Sequence, residues 1–132
     1  MHAEFQSVVW AELLKACSLS LAICAGSKPS VTLGGIKPHH TYTILNCGDV
    51  PSGGQIHQIM RLRNPWGDTE YKGYASEDDT KFWSQAPAEC RKKLMPEPNC
   101  NDGDFAIPFN EFIKHFESID VSVAQPNFSY EF

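Results

Sequence analysis

The sequence predicts an α+β domain built on an antiparallel β-sheet with flanking short helices, and three observations carry that prediction. Residues 40–46 (His-Thr-Tyr-Thr-Ile-Leu-Asn) are rich in β-branched and aromatic side chains. Residues 55–64 alternate apolar with polar side chains. Between them lie seven residues dense in turn formers, Gly48-Asp-Val-Pro-Ser-Gly-Gly54. Two strands joined in this way form an antiparallel hairpin.

The other elements follow in chain order. Val8, Val9, Leu13 and Leu14 stand at near-helical spacing, with Trp10 and Cys17 on the apolar face, and predict a helix over 6–17. Residues 26–38 carry Gly26, Pro29, Gly34, Gly35 and Pro38 and read as an irregular approach to the first strand. In the second strand Ile56, Met60 and Leu62 are expected on one face and His57, Arg61 and Arg63 on the other. Pro87 opens a short helix over 87–94. A second helix is expected over 111–118, with Asn110 as N-cap and Phe109, Phe112, Ile113 and Phe116 on one face. Ile119, Val121 and Val123 then alternate as a final strand, and residues 124–132 are expected to lead into a following domain.

Composition narrows the function classes. The chain has 132 residues, enough for one domain, with 42% apolar and 20% charged residues, as in ordinary globular proteins. No apolar run is long enough to span a bilayer, and no basic-then-apolar leader opens the chain. Five cysteines (Cys17, Cys24, Cys47, Cys90, Cys100) without a CxxC pair read as reduced thiols of a cytoplasmic protein. The net charge of −5 is uneven: the part up to Asn64 carries +2 and the part from Pro65 carries −7. Nucleic acid is therefore not an expected partner. The acidic half is either a solvated face or a holder of a hard cation.

The hairpin has a geometric consequence. With its centre near Ser52, residues whose numbers sum to 104 face each other, and His40 and Asn64 do so. Directly opposed residues in an antiparallel pair share a face, with Cα atoms roughly 4.5–5.5 Å apart. An amide that orients an imidazole, which in turn holds a thiol's proton, is the base unit of cysteine proteases. A surface histidine near a turn asparagine gives the same spacing.

The local motifs go further. Gly35-Ile-Lys-Pro-His39-His40-Thr-Tyr42-Thr-Ile resembles the calpain segment around the catalytic histidine, where Gly-His-Ala-Tyr-Ser-Val is usual. Arg63-Asn64-Pro-Trp66-Gly67 matches the calpain asparagine motif residue for residue, and Asn101-Asp102-Gly103-Asp104-Phe105 resembles the family's Glu-Asp-Gly-Glu-Phe stretch. The similarity runs from about Trp10 to Val123.

The resemblance to calpain-like, papain-type cysteine proteases implies the β-rich half of a papain-like core, and a calcium-dependent endopeptidase as the parent function. It implies His40 as general base, Asn64 as its orienter and Trp66 as the indole beside the cleft. His39 stands where the family usually has glycine. The nucleophile's Gly-Asp-Cys-Trp segment has no counterpart in this chain. Cys17 and Cys24 read as buried, Cys47 as near the loop, and Cys90 and Cys100 as thiols raised by acidic neighbours. The chain alone is thus expected to be inactive and to need an upstream cysteine-bearing subdomain to act on protein substrates. An apolar cleft edge around Trp66 would invite self-association.

For calcium, the matching positions are Glu70, Glu77 (or Asp78 with a one-residue shift), Asp102 and Asp104, with the carbonyl of Cys100. A zinc site from His39, His40, Cys47 and His57 is the rival metal reading, and its spacing fits no standard zinc pattern. The rival function is a non-catalytic, calcium-responsive calpain homologue; a generic α+β binding domain is the third.

Overall fold

In the computed structural model the described residues are 3–31, 33–64, 70–95, 103–122 and 128–131. The chain runs α1 (Ala3–Ser18), β1 (Ala22–Ser27), β2 (Thr41–Ser52), β3 (Gln55–Arg63), α2 (Thr80–Ser84), α3 (Ala88–Leu94), β4 (Asp104–Pro108), α4 (Phe109–His115), β5 (Phe116–Ser122) and β6 (Phe128–Glu131). Six strands form one sheet in the order β4-β3-β2-β1-β5-β6, antiparallel at every pair. No helix among the described residues is long and apolar enough to cross a membrane.

Helix α1 buries Val9, Trp10, Leu13 and Ala16, a single face at i, i+1, i+4 and i+7. It ends where Ser20 turns to a positive φ of 55°, with Ser20 N–H donating to Cys17 O and Leu21 N–H to Ala16 O. That pair of bonds is the Schellman closure, here built on serine rather than glycine. The sheet has a core on each face. Trp10, Tyr42, Ile44, Met60, Leu62, Phe105 and Ile107 pack with the phenylalanines of α4 on one side. Val50, Ile59 and Ala106 pack with Phe82, Trp83 and Leu94 on the other. Neighbours such as Ile59 and Met60 thus enter opposite cores, as alternation requires.

The hairpin differs from the sequence expectation in two ways. Residues 48–52 continue the strand, and the turn is only Gly53-Gly54, at φ of 62° and 82°. Two successive left-handed residues make the tight turn that suits strand twist, and glycine adopts them without steric cost. Ser52 pairs with Gln55, and a bulge at Leu45 shifts the register so that Thr43 meets Arg63. His40 and Asn64 therefore lie beyond the ladder rather than opposite each other within it. Ile56, expected inside, is 67% exposed at the tip.

Further differences have local causes. β1 falls partly in the stretch read as irregular, because Gly26 and Ser27 can still pair. Short α2 is opened by Asp79, whose carboxylate accepts from Phe82 N–H at 3.1 Å. Helix α4 starts at Phe109 after Pro108 and ends at His115, not at 111–118 after Asn110. Its register is set by aromatic packing: Trp10 lies 5.0 Å from Phe109, and Phe112 stacks on Phe116 at 4.3 Å. Residues 128–131, expected to lead out of the domain, pair with β5 as β6.

Candidate active site and acid pair

His40 is held by its backbone before it is held by its ring. Ser27 N–H donates to His40 O at 2.9 Å, and His40 N–H donates to Ser27 Oγ at 2.8 Å. The Ser27 hydroxyl donates in turn to Lys37 O at 2.6 Å, and Lys37 N–H donates to the Tyr42 hydroxyl at 2.9 Å. Tyr42 is wholly buried, and its ring meets that of His40 edge-on at 5.1 Å. The approach segment, although irregular, is thus pinned on both sides of the histidine.

Asn64 is 1% exposed at the end of β3, with its N–H donating to Gly103 O at 2.9 Å. His40 Nε2 and Asn64 Oδ1 are 3.0 Å apart. An amide oxygen only accepts, so this contact places the proton on Nε2 and leaves Nδ1 as the basic nitrogen of the neutral ring. The structure brings together the two residues singled out from the sequence, through the strand ends rather than through ladder pairing.

His39 has a φ of 50° and is exposed. This left-handed backbone favours glycine, the residue usual at this place in the resembling family, and a histidine carries steric strain there. Trp66 lies outside the described residues.

The acidic residues divide into two groups. Glu70 and Glu77 are 3% and 5% exposed. Glu70 Oε2 accepts from Gly103 N–H at 3.0 Å, while buried Oε1 has no donor among the described residues other than a protonated Glu77. Burial, then a hydrogen bond with Glu70 and repulsion from it, push the Glu77 carboxyl up to about 8. Glu77 sits on a turn built by Ala75 at a φ of 60°, with Asp79 Oδ2 accepting from Ala75 N–H at 2.9 Å and Trp83 Nε1 donating to Ser76 O at 2.8 Å. Two buried carboxyls facing each other with one oxygen otherwise unsupplied suit either a shared proton or a hard cation.

Asp104 belongs to the other group. It accepts from Arg61 Nη2 at 2.5 Å and from Arg63 Nε at 2.6 Å, so both carboxylate oxygens are already engaged by guanidinium groups. A carboxylate offers about four lone-pair sites, so a cation at Asp104 would share it with the two arginines. Asp78 pairs instead with Lys72 at 3.2 Å. Cys100 and Asp102 lie outside the described residues.

The zinc reading fails on placement. Cys47 is buried under α1, His57 lies at the hairpin tip, and no three His, Cys, Asp or Glu side chains gather as a metal site among the described residues. Cys24, expected to be buried, is exposed, because β1 turns Ile23 and Ala25 inward and Cys24 outward. Burial, then the Glu89 charge, raise the Cys90 thiol. Of the large exposed apolar side chains among the described residues, Val8 lies on α1, Leu19 just after it, and Ile56 and Tyr74 near the closed end of the hairpin.

Glycine 35 joins the acid pair to the histidine segment. Its φ is 87°, and a Cβ there would stand 2.5 Å from the Glu70 carbonyl carbon and 2.7 Å from Tyr71 N. Only glycine lets the two backbones pass so closely. Sequence reasoning saw Gly35 as a mere loop former; its contact with Glu70 carries no signature in the local sequence.

Comparison with known proteins agrees with this arrangement. Over 114 residues, 86% of this chain, the sequence is 28% identical to the calpain-2 catalytic subunit of Bos taurus. Over the same length it is 30% identical to calpain-9 of Homo sapiens and 32% identical to calpain-9 of Mus musculus. The matched region spans 16% of the length of each of these relatives. Residues 1–123 match the family described as calpain family cysteine protease, and the chain belongs to that family.

Proposed function

We propose that this chain is the His/Asn-bearing half of a calcium-dependent, cytoplasmic cysteine endopeptidase that cleaves protein substrates. The observation that carries the reading is the 3.0 Å contact between His40 Nε2 and Asn64 Oδ1, with the asparagine buried. In the assembled protease the thiol comes from an upstream subdomain and gives its proton to His40 Nδ1. Its sulfur attacks the scissile carbonyl, and the amine leaves with the proton from His40. Water, deprotonated by His40, then hydrolyses the thioester. Trp66 would shield the His–Asn contact. The chain alone, without that thiol, turns over no peptide.

Glu70 and Glu77 would hold Ca²⁺, with Asp102, Asp104 and the Cys100 carbonyl completing the set. The ion supplies the positive charge that removes the repulsion between the two buried carboxylates. A second reading is a non-catalytic, calcium-responsive module, favoured by the strained, exposed His39 beside the base. Turnover of a fluorogenic peptide with calcium, with the cysteine-bearing half supplied in trans, separates the two. Turnover lost with His40→Ala supports the protease; none with any upstream half supports the module.

A further inference from the structure

The edge of β2 that faces β1 holds a feature that the protease reading does not use. β1 pairs with β2 only at Thr41, Tyr42 and Thr43, so beyond the Leu45 bulge this edge has no strand partner among the described residues. Side chains cover it instead. Asn46 Oδ1 accepts from Cys47 N–H at 3.0 Å, and Cys90 Sγ lies 3.9 Å from Asp49 O.

Helix α1 meets the strand here in register. Trp10 and Cys17 stand two turns apart on one helix face, and Cys47 and Asp49 alternate onto one strand face. Trp10 Nε1 donates to Asp49 Oδ1 at 3.0 Å. At the other end of the same stripe Cys17 packs against the core cluster that contains Cys47. Cys47 is wholly buried there, and Cys17 is half-exposed to solvent. Lys93 reaches toward the same strand segment, its Nζ 3.3 Å from where a Cβ on Gly48 would stand.

These surroundings divide the two thiols. The neighbouring Cys47 thiol lowers Cys17; burial opposes it, and the Lys93 charge adds to the lowering. Burial, then the neighbouring Cys17, raise Cys47 well above the usual thiol range. One sulfur is thus reachable and inclined to the thiolate, and the other is sheltered and protonated beside it.

We propose that Cys17 and Cys47 are a peroxide-reactive pair that closes to an intramolecular disulfide. The Cys17 thiolate attacks a peroxide oxygen, the O–O bond breaks, and Cys17 becomes a sulfenic acid as hydroxide leaves. The Cys47 thiol then loses its proton and attacks Cys17 Sγ, displacing the sulfenic oxygen as water. The two thiols lose two electrons in all, and hydrogen peroxide is reduced to two waters. The product ties α1 to β2 and does not depend on the protease reading.

The test treats the full chain, carrying Cys24→Ser so that the Cys17 peptide holds one thiol, with stoichiometric hydrogen peroxide. Non-reducing digestion and mass spectrometry should find the Cys17 and Cys47 peptides joined within one chain. The oxidised protein should melt at a higher temperature, and dithiothreitol should reverse the shift. In Cys47→Ala the linked species should vanish, and dimedone should trap Cys17. Cys17→Ser should react at least about tenfold more slowly than the parent. Oxidation of Cys90 or Cys100 ahead of Cys17, cross-links between chains, or a Cys17→Ser variant as reactive as the parent would each overturn the proposal. Should Cys47→Ala fail to fold, the mapping on the parent decides.

Discussion

The two ends of the β2–β3 hairpin each present a histidine whose Nε2 is tied to an oxygen, yet their surroundings are built to opposite purposes. At the closed end His57 Nε2 donates to Ser52 O at 3.0 Å, and Nδ1 receives the Tyr74 hydroxyl. Phe82 packs edge-on at 4.9 Å, and the Ser52 hydroxyl donates to Phe82 O at 2.6 Å. Both ring nitrogens are used up in holding the tip together. At the open end His40 pairs with a buried amide beside a left-handed His39, and Gly103 links that asparagine's backbone to the buried Glu70. The closed end satisfies its polar groups locally, whereas the open end keeps two buried carboxyls and strained backbone together.

The largest expected effect separates the two histidines. In the reconstituted protease, His40→Ala should lower kcat/KM by about 10⁴-fold or more. His57→Ala should leave activity near parental while lowering unfolding stability by about 1–2 kcal/mol, through lost hydrogen bonds and ring packing. Equal activity losses for the two variants in peptide turnover would erase the distinction.

Next is the Arg61–Asp104–Arg63 clamp at the open end. Asp104→Asn should cost roughly 2–3 kcal/mol in urea unfolding, because two guanidinium groups lose a buried acceptor. If Asp104 served the cation rather than the arginines, the loss would appear only with calcium present.

The pH dependence sharpens the contrast further. Glu77, at about 8 when folded, keeps a proton that the unfolded chain has released well below neutrality. Its contribution is therefore fully present at low pH and declines as pH rises towards 8. Stability measured by urea titration across that window should fall in the parent and stay flatter in Glu77→Gln. Calcium should reduce the fall, most at the upper end.

The smallest effect concerns His39. His39→Gly should remove steric strain but add chain entropy to the unfolded state, for a net gain of about 1 kcal/mol or less by thermal melting.

Much of the open end was legible in the sequence, because its chemistry is written in short contiguous motifs. His40 and Asn64 were found through their neighbours, Tyr42 and the Arg-Asn-Pro-Trp-Gly run. The pairing arithmetic that also picked them out rested on a turn of the wrong length. Gly53-Gly54 closes the hairpin and Leu45 bulges, and neither shift shows in apolar alternation. Strand β4 was missed because Asp104–Pro108 is buried at every position and so shows no alternation. Charge alone showed only an acidic half, and the acid pair was named through the family resemblance. Its separation from Asp104 was not legible, since that depends on which strand carries the arginines. Cys17 and Cys47 looked inert singly, and only the docking of α1 on β2 makes them a pair.

Gly103 gives its N–H to Glu70 and its C=O to Asn64, at a φ of 90°. In terms of hydrogen exchange, this places two amides in series on one backbone pivot. A local opening that frees the Gly103 amide also loosens the carbonyl that protects the Asn64 amide. The acid pair and the asparagine should then exchange as one cooperative unit, distinct from the tip around His57. Whatever settles the carboxyls, proton or cation, would slow both amides by the same factor.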